Sequence, residues 1–254
     1  MGKKKNRIGE EKLNNFGSKM KIIEYRNAND IDIYFEEYNW IAKNKCYKDF
    51  NIGNIKCPYE PRVWGKGYIG EGKYITTINK RPTKMYNTWH GMLERCYSIN
   101  SLKSKPTYEK CEVCKEWLCF QNFAKWYEEN YYDIDNEQMC LDKDILVKGN
   151  KIYSSETCIF VPQFINKLFT KCDKSRGKYP IGVSYYKGSE KFISRCQTLN
   201  GCEYIGSFEN STNAFLSYKN FKEKYIKELA EEYKQKIPNK LYVAMINYKV
   251  EITD

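Results

Sequence analysis

The segment that most restricts the fold is "NSTNAFLSYKNFKEKYIKELAEEYKQKI", beginning at Asn210. Ala214, Tyr218, Phe221, Tyr225 and Leu229 recur at intervals of three or four residues. That spacing predicts one amphipathic helix with a continuous apolar stripe. Ser211 or Asn210 is the expected N-cap, and Pro238 the expected stop. Three short β-type runs precede the helix, "YPIGVSYY", "KFISRCQ" and "CEYIGSF", separated by the turn sequences "KGSE" and "LNG". A stripe needs a partner. Three strands with one apolar face supply it, so the C-terminal third is expected to be a small antiparallel sheet packed on one helix.

Upstream the chain reads as further small modules, giving an α+β class overall. "MKIIEY" and "IDIYF" are joined by "NAND" and predict a hairpin, and "FNIGNIKCP" continues in the same style. The glycine-rich "WGKGYIGEGKY" superficially resembles a phosphate-cradling loop. It lacks the strand before and the helix after that such a loop requires, and is read as a flexible linker. Trp89, Met92, Leu93 and Cys96 predict a helix from about Met85. Phe120, Phe123, Ala124 and Tyr127 predict another from about Glu116, and Pro162 fits the first turn of a short third. The resulting organisation is a basic arm (1–15), a β-rich module (16–75), a helical and loop region (76–176), the three-stranded module (177–236) and a C-terminal tail (237–254).

Charge bears on partners. Across 254 residues the formal net charge is +11, and aromatic residues make up 16% of the chain. Such a basic chain is expected to meet a polyanion, with double-stranded DNA favoured over a membrane or a small-molecule substrate. No apolar run is long enough for a bilayer span, and no apolar segment follows the basic N-terminus as in a signal peptide. The 11 cysteines are therefore expected as reduced thiols in a cytoplasmic setting. Cys111 and Cys114 have zinc-like spacing in "CEVC". With no second such pair, buried thiols are expected there rather than Zn2+.

"GVSYYKGSEKFISRCQTLNGCEYIGSFENSTNAFLSY" resembles the Apetala-type (ethylene-response-factor) DNA-binding domain. The matching pieces are the "GV" of the first strand, the aromatic and small residue of "KFIS", "IGSF", and Ala214 with Tyr218 on the helix. Alternation turns Val183, Tyr185, Phe192, Ser194 and Cys196 toward the helix. It turns Ser184, Tyr186, Ile193, Arg195, Gln197 and Tyr204 away, with Lys187 and Lys191 flanking the first turn. By resemblance, Ser184, Tyr186, Lys187, Lys191, Arg195, Gln197 and Tyr204 are the expected DNA contacts. The family carries several arginines on this face; here the face offers mainly Arg195.

"TWHGMLERCYS", "YEKCEVCKEWLCFQNFAKW" and "CLDKDILVKGNKIYSSETCIFVPQFIN" resemble, in that order, phage-type HNH homing endonucleases, in which a nuclease core is often followed by such a DNA-binding domain. The resemblance implies a ββα fold around one divalent metal, Mg2+ or Mn2+. Asp142 matches the strand metal ligand, Lys143 stands where the general base is usually a histidine, Thr157 matches the bracing asparagine, and Asn166 matches the helix ligand. Asp144 is placed to share the metal, and Asn150 is a second candidate brace. Without the resemblance, Asp142 and Asp144 read as a polar turn capped by Asn150. The only histidine, His90, falls on an earlier helix. Two functions are carried forward: a sequence-specific, metal-dependent DNA endonuclease, and a DNA-binding protein descended from one and lacking catalysis.

Overall fold

Alternation of buried and exposed residues, clearest in β-strand residues 19–22 and 30–35, builds the first sheet. In the computed structural model, which describes residues 6–134, 137–170 and 178–254, the order is β1 (Glu11–Leu13), β2 (Lys19–Asn27), β3 (Asp30–Phe35), β4 (Trp40–Lys45), all antiparallel. Met20, Ile22, Ile31, Ile33, Phe35 and Ala42 share its inner face. The expected hairpin is present, and Arg26 clamps it. Its guanidinium donates to Asp30 at 2.7 Å and to Asp32 at 2.6 Å.

"FNIGNIKCP" does not continue the sheet. The residues before and into it form α1 (Tyr47–Asn51), and the chain then turns at Gly53. Helical spacing places Phe50 beside Tyr47, so that Phe50, with Ile55 and Cys57, closes the sheet's apolar face. The glycine-rich stretch is no flexible linker either. Val63 and Gly67 exchange backbone hydrogen bonds, and Tyr68 joins the backbone of Leu118 and Phe120 at 2.9 Å on each side. A β-carbon on Gly67 would overlap the side chains of Leu93 and Trp89. The glycines permit close packing rather than motion.

A small hairpin, β5 (Thr77–Ile78) and β6 (Arg81–Pro82), leads into α2 (Lys84–Tyr97), α3 (Ile99–Ser104) and α4 (Phe120–Asn130). Trp89, Met92, Leu93 and Cys96 are the buried residues of α2, as their spacing predicts. Residues 115–118 form a 3-10 turn, so the helix expected from Glu116 begins at Phe120. The Trp89 indole donates to the Trp117 carbonyl at 2.7 Å and ties the turn to α2.

The chain divides into two compact units, Met1–Glu129 and Asn130–Asp254. The region expected at 76–176 is thus shared between them. The second unit starts with β7 (Met139–Asp142) and β8 (Ile159–Pro162), antiparallel with Ile159 opposite Asp142, followed by α5 (Gln163–Leu168). Next come β9 (Val183–Tyr186), β10 (Lys191–Thr198) and β11 (Gly201–Phe208), an antiparallel sheet in sequential order packed on α6 (Ser211–Tyr233). The fold is α+β, and its C-terminal sheet-on-helix module is the one the sequence predicts. Asn210 is the N-cap, its side chain accepting from the Asn213 amide at 2.8 Å. The final residues are more than a tail: Leu241 and Met245 of α7 (Asn239–Ile246) enter the core with Ile226, Leu229 and Ala230 of α6. None of the helices described is long and apolar enough to cross a membrane.

Gly182 shows how closely sheet and helix approach. Its φ is 76°, and a β-carbon there would overlap the Tyr218 ring. Gly182→Ala is expected to destabilise the second unit by roughly 2–4 kcal/mol, from backbone strain and overpacking together. Chemical denaturation followed by far-UV circular dichroism measures the loss.

Candidate functional site

Along β10 the side chains alternate without exception from Ser194 to Thr198. Ser194, Cys196 and Thr198 are buried, while Arg195 and Gln197 are exposed. Ser184 and Tyr186 on β9 and Lys187 in the following turn are also exposed. Lys191 lies opposite Tyr186 and pairs with Glu209 at 3.2 Å. Tyr204 lies directly opposite Arg195. That register depends on a bulge: Ser194 faces Gly206 and Arg195 faces Tyr204, so Ile205 has no opposite residue. Ile205 packs toward the core, and the extra residue returns Tyr204 to the outer face.

All seven residues expected to contact DNA therefore lie on the outer side of the sheet or in its first turn. Tyr185, expected to face the helix, is 39% exposed. Its ring packs on Phe192 at 5.2 Å beside Tyr179 rather than on the helix's apolar stripe. Ile193, expected to face outward, is only partly exposed.

Beneath the sheet is a residue that the sequence reading overlooked. Lys222 of α6 is only 5% exposed, near Cys196. Burial pushes its ammonium below the usual lysine range. Burial likewise pushes the Cys196 thiol up, against the pull of the Lys222 charge. The Ser194 hydroxyl is buried with no hydrogen-bond partner among the described residues. The signal for Lys222 was available: it sits four residues after Tyr218 and four before Ile226, in the middle of the apolar stripe.

The ββα element places the other candidates. Asp142 ends β7 and turns its side chain back on its own chain. Oδ1 accepts from the amides of Asp144 at 2.7 Å and Ile145 at 2.8 Å, forming an Asx-type turn. Desolvation raises its carboxyl above the ordinary aspartate range, outweighing those two hydrogen bonds, and the Asp144 charge adds to the rise. Lys143 is 4% exposed. Its ammonium donates to both oxygens of Asp144 at 2.8 and 2.7 Å and to the Asn150 carbonyl at 2.8 Å. The Asn150 side chain donates to the carbonyls of Lys143 at 2.9 Å and Ile152 at 2.7 Å, closing the loop. Thr157 braces the far side, its hydroxyl donating to the Ile152 carbonyl at 2.8 Å and meeting Ser154 at 3.0 Å. Asn166 lies half-buried on α5, which packs against β7.

Asp142, Lys143, Asp144, Asn150 and Thr157 thus belong to one self-contained loop. Two of the expected metal ligands, Asp142 and Asp144, are engaged within this loop. The Lys143 ammonium already neutralises Asp144, and Asp142 Oδ1 is taken up by two backbone amides. Among the described residues, no group of three or more His, Cys, Asp or Glu side chains is placed to hold a metal. His90 lies in the first unit, its ring 5.4 Å from Trp64 and 5.9 Å from Tyr86. Cys111 is buried, and burial pushes the Cys114 thiol up. No family model, no curated protein and no solved structure matches the chain.

The raised Asp142 carboxyl sets a sign for pH dependence. The folded state holds that proton more tightly than the unfolded state. The associated stability is therefore full below the unfolded pKa and is lost as pH rises through the folded one. Asp142→Asn keeps an oxygen acceptor for the two amides and removes the desolvated charge. It is expected to be at least as stable as wild type at pH 7 and to gain less on acidification. Asp142→Ala leaves both amides without their acceptor and is expected to lose about 1–3 kcal/mol. Thermal denaturation from pH 4 to pH 8 compares all three proteins.

Proposed function

We propose that the chain binds double-stranded DNA through the outer face of β9–β11, and that its ββα element serves as a braced scaffold. The observation that carries this reading is the presentation of Arg195, Tyr204, Gln197 and Tyr186 on one exposed face of a sheet held rigid by α6. A sheet of this width can present side chains to base edges in the major groove, where arginine pairs with guanine in bidentate fashion. Lys187 at the turn suits a phosphate, and the net charge of +11 favours a polyanion in general. The resemblance to the Apetala-type domain points the same way.

A second reading, metal-dependent cleavage of DNA by an HNH-like site, is favoured by one specific feature. Strand, loop, strand and helix follow in the ββα order, with Asp142 at the end of the first strand and Asn166 on the helix. Against it stand the internal pairing of Lys143 with Asp144 and the capping role of Asp142.

Selection of bound sequences from a random duplex library, followed by titration of the selected site and of random DNA across a salt series, tests the first reading. Arg195→Ala is expected to narrow the gap between selected and random DNA by roughly 1–3 kcal/mol. Lys187→Ala is expected to weaken both alike and lower the log–log salt slope by about one. Absence of duplex binding at low salt overturns the proposal. The same duplexes incubated with Mg2+ or Mn2+ are expected to remain intact; metal-dependent cuts abolished by Asp142→Ala would establish the second reading instead.

A further inference from the structure

The hairpin β5–β6 of the first unit projects from the fold and buries nothing: every residue from Thr77 to Pro82 is exposed. It is nonetheless well built. Thr77 pairs with Pro82 and Ile78 with Arg81. At its base the Thr83 amide donates to the Thr76 carbonyl at 2.9 Å, and the Thr83 hydroxyl caps α2 by accepting from the Tyr86 amide at 3.2 Å. A two-stranded ribbon with no core of its own gains little from folding, so the outer surface of this one requires an explanation.

That surface is unusual in two ways. Ile75 and Ile78 are 58% and 55% exposed, more than any isoleucine of the other strands described. The tip residues Asn79 and Lys80 both have positive φ, 49° and 62°. A two-residue turn of this kind favours glycine at its second position. Here the position holds a long cationic side chain in a backbone region that such residues rarely adopt. Arg81 follows immediately. Neither Lys80 nor Arg81 forms an ion pair among the described residues. A strained, uncompensated cation at the end of a stiff ribbon, beside exposed apolar side chains, marks a contact surface.

We infer that the β5–β6 hairpin is a second DNA-contacting element, with Lys80 and Arg81 on backbone phosphates and Ile78 against deoxyribose. Charge complementarity selects the occupant: two unpaired cations at a tip with no acidic residue between Thr76 and Lys84 fit a polyanionic backbone. The inference rests on the duplex-DNA reading and extends it to the first unit. Such contacts position a protein without reading sequence.

The test uses the full chain and a labelled duplex of random sequence, with affinity measured by fluorescence anisotropy across a salt series. Lys80→Gly combined with Arg81→Gln removes both charges while giving the turn the residue it favours. This variant is expected to melt no lower than wild type, to bind several-fold more weakly, and to lose about two units of log–log salt slope. Asn79→Gly relaxes the same turn with its charges kept and is expected to bind as wild type does. Wild-type affinity and slope in the double variant overturn the inference while leaving the sheet-face reading intact. Weakened binding by Asn79→Gly also overturns it, because turn geometry rather than charge would then be responsible. If wild type binds no duplex at all, both readings fall together.

Discussion

The burial of one face of α6 is the constraint on which the second unit depends. Near its start Ala214, Phe215 and Tyr218 meet Cys196 and the inner side of the three-stranded sheet. Two turns later Ile226, Leu229 and Ala230 meet Ile159, Val161, Ile165 and Leu168 of the ββα element, together with Leu241 and Met245. A helix of 23 residues is about 34 Å long, enough to serve both cores in succession. The sheet cannot be positioned independently of the ββα element, because the same rigid rod is a wall of each. Lys222, 5% exposed, lies between the residues of α6 that serve the two cores.

Within the ββα element the organising force is local electrostatics. The loop after β7 turns sharply, leaving the amides of Asp144 and Ile145 without strand partners, and Asp142 accepts from both. The Lys143 ammonium then draws Asp144 and the Asn150 carbonyl together from within. A positive centre surrounded by oxygen atoms is what a metal ion supplies in other loops; in this one the Lys143 ammonium is surrounded in the same way by Asp144 and the Asn150 carbonyl. Removing a buried cation from such a cluster leaves its acceptors unpaired, so the lysine is far less replaceable than a surface lysine.

Much of this architecture was legible in the residues. Short runs rich in Ile and aromatics between turn residues located β2, β3 and β10, and three-to-four spacing located α2 and α6, whose one face is buried and the other not. Three features were hidden for physical reasons. The glycine-rich strap looked mobile because glycine is chosen equally for freedom and for close approach, and only the position of Trp89 and Leu93 decides between them. The α7 segment looked like a tail because Leu241 and Met245 are a short apolar pair whose partners on α6 are not adjacent in sequence. The candidate site was half legible. Most outward residues of the sheet followed from parity; Tyr185 and Ile193 depart from it, and Tyr204 faces outward through the bulge. Asp142 and Asp144 read both as metal ligands and as a polar turn capped by Asn150, since two acids flanking a lysine look alike in either case.

The bulge at Ile205 gives the sheet an asymmetric tolerance to changes in chain length. Between Gly206 and Phe208, β11 is in phase with β10 on one side of the irregularity, and from Tyr204 back to Gly201 on the other. A one-codon deletion at Ile205 would remove the irregularity and leave every other pair facing as it does, Gly206 with Ser194 and Tyr204 with Arg195, at the cost of the apolar side chain that Ile205 packs toward the core. A deletion elsewhere in the strand shifts the residues on one side of it by one place and exchanges their faces. A one-codon insertion in the turn between Gln197 and Cys202 would lengthen a loop and leave both phases as they are. The reading frame of this strand therefore has one position, Ile205, where the chain can shorten without exchanging any face.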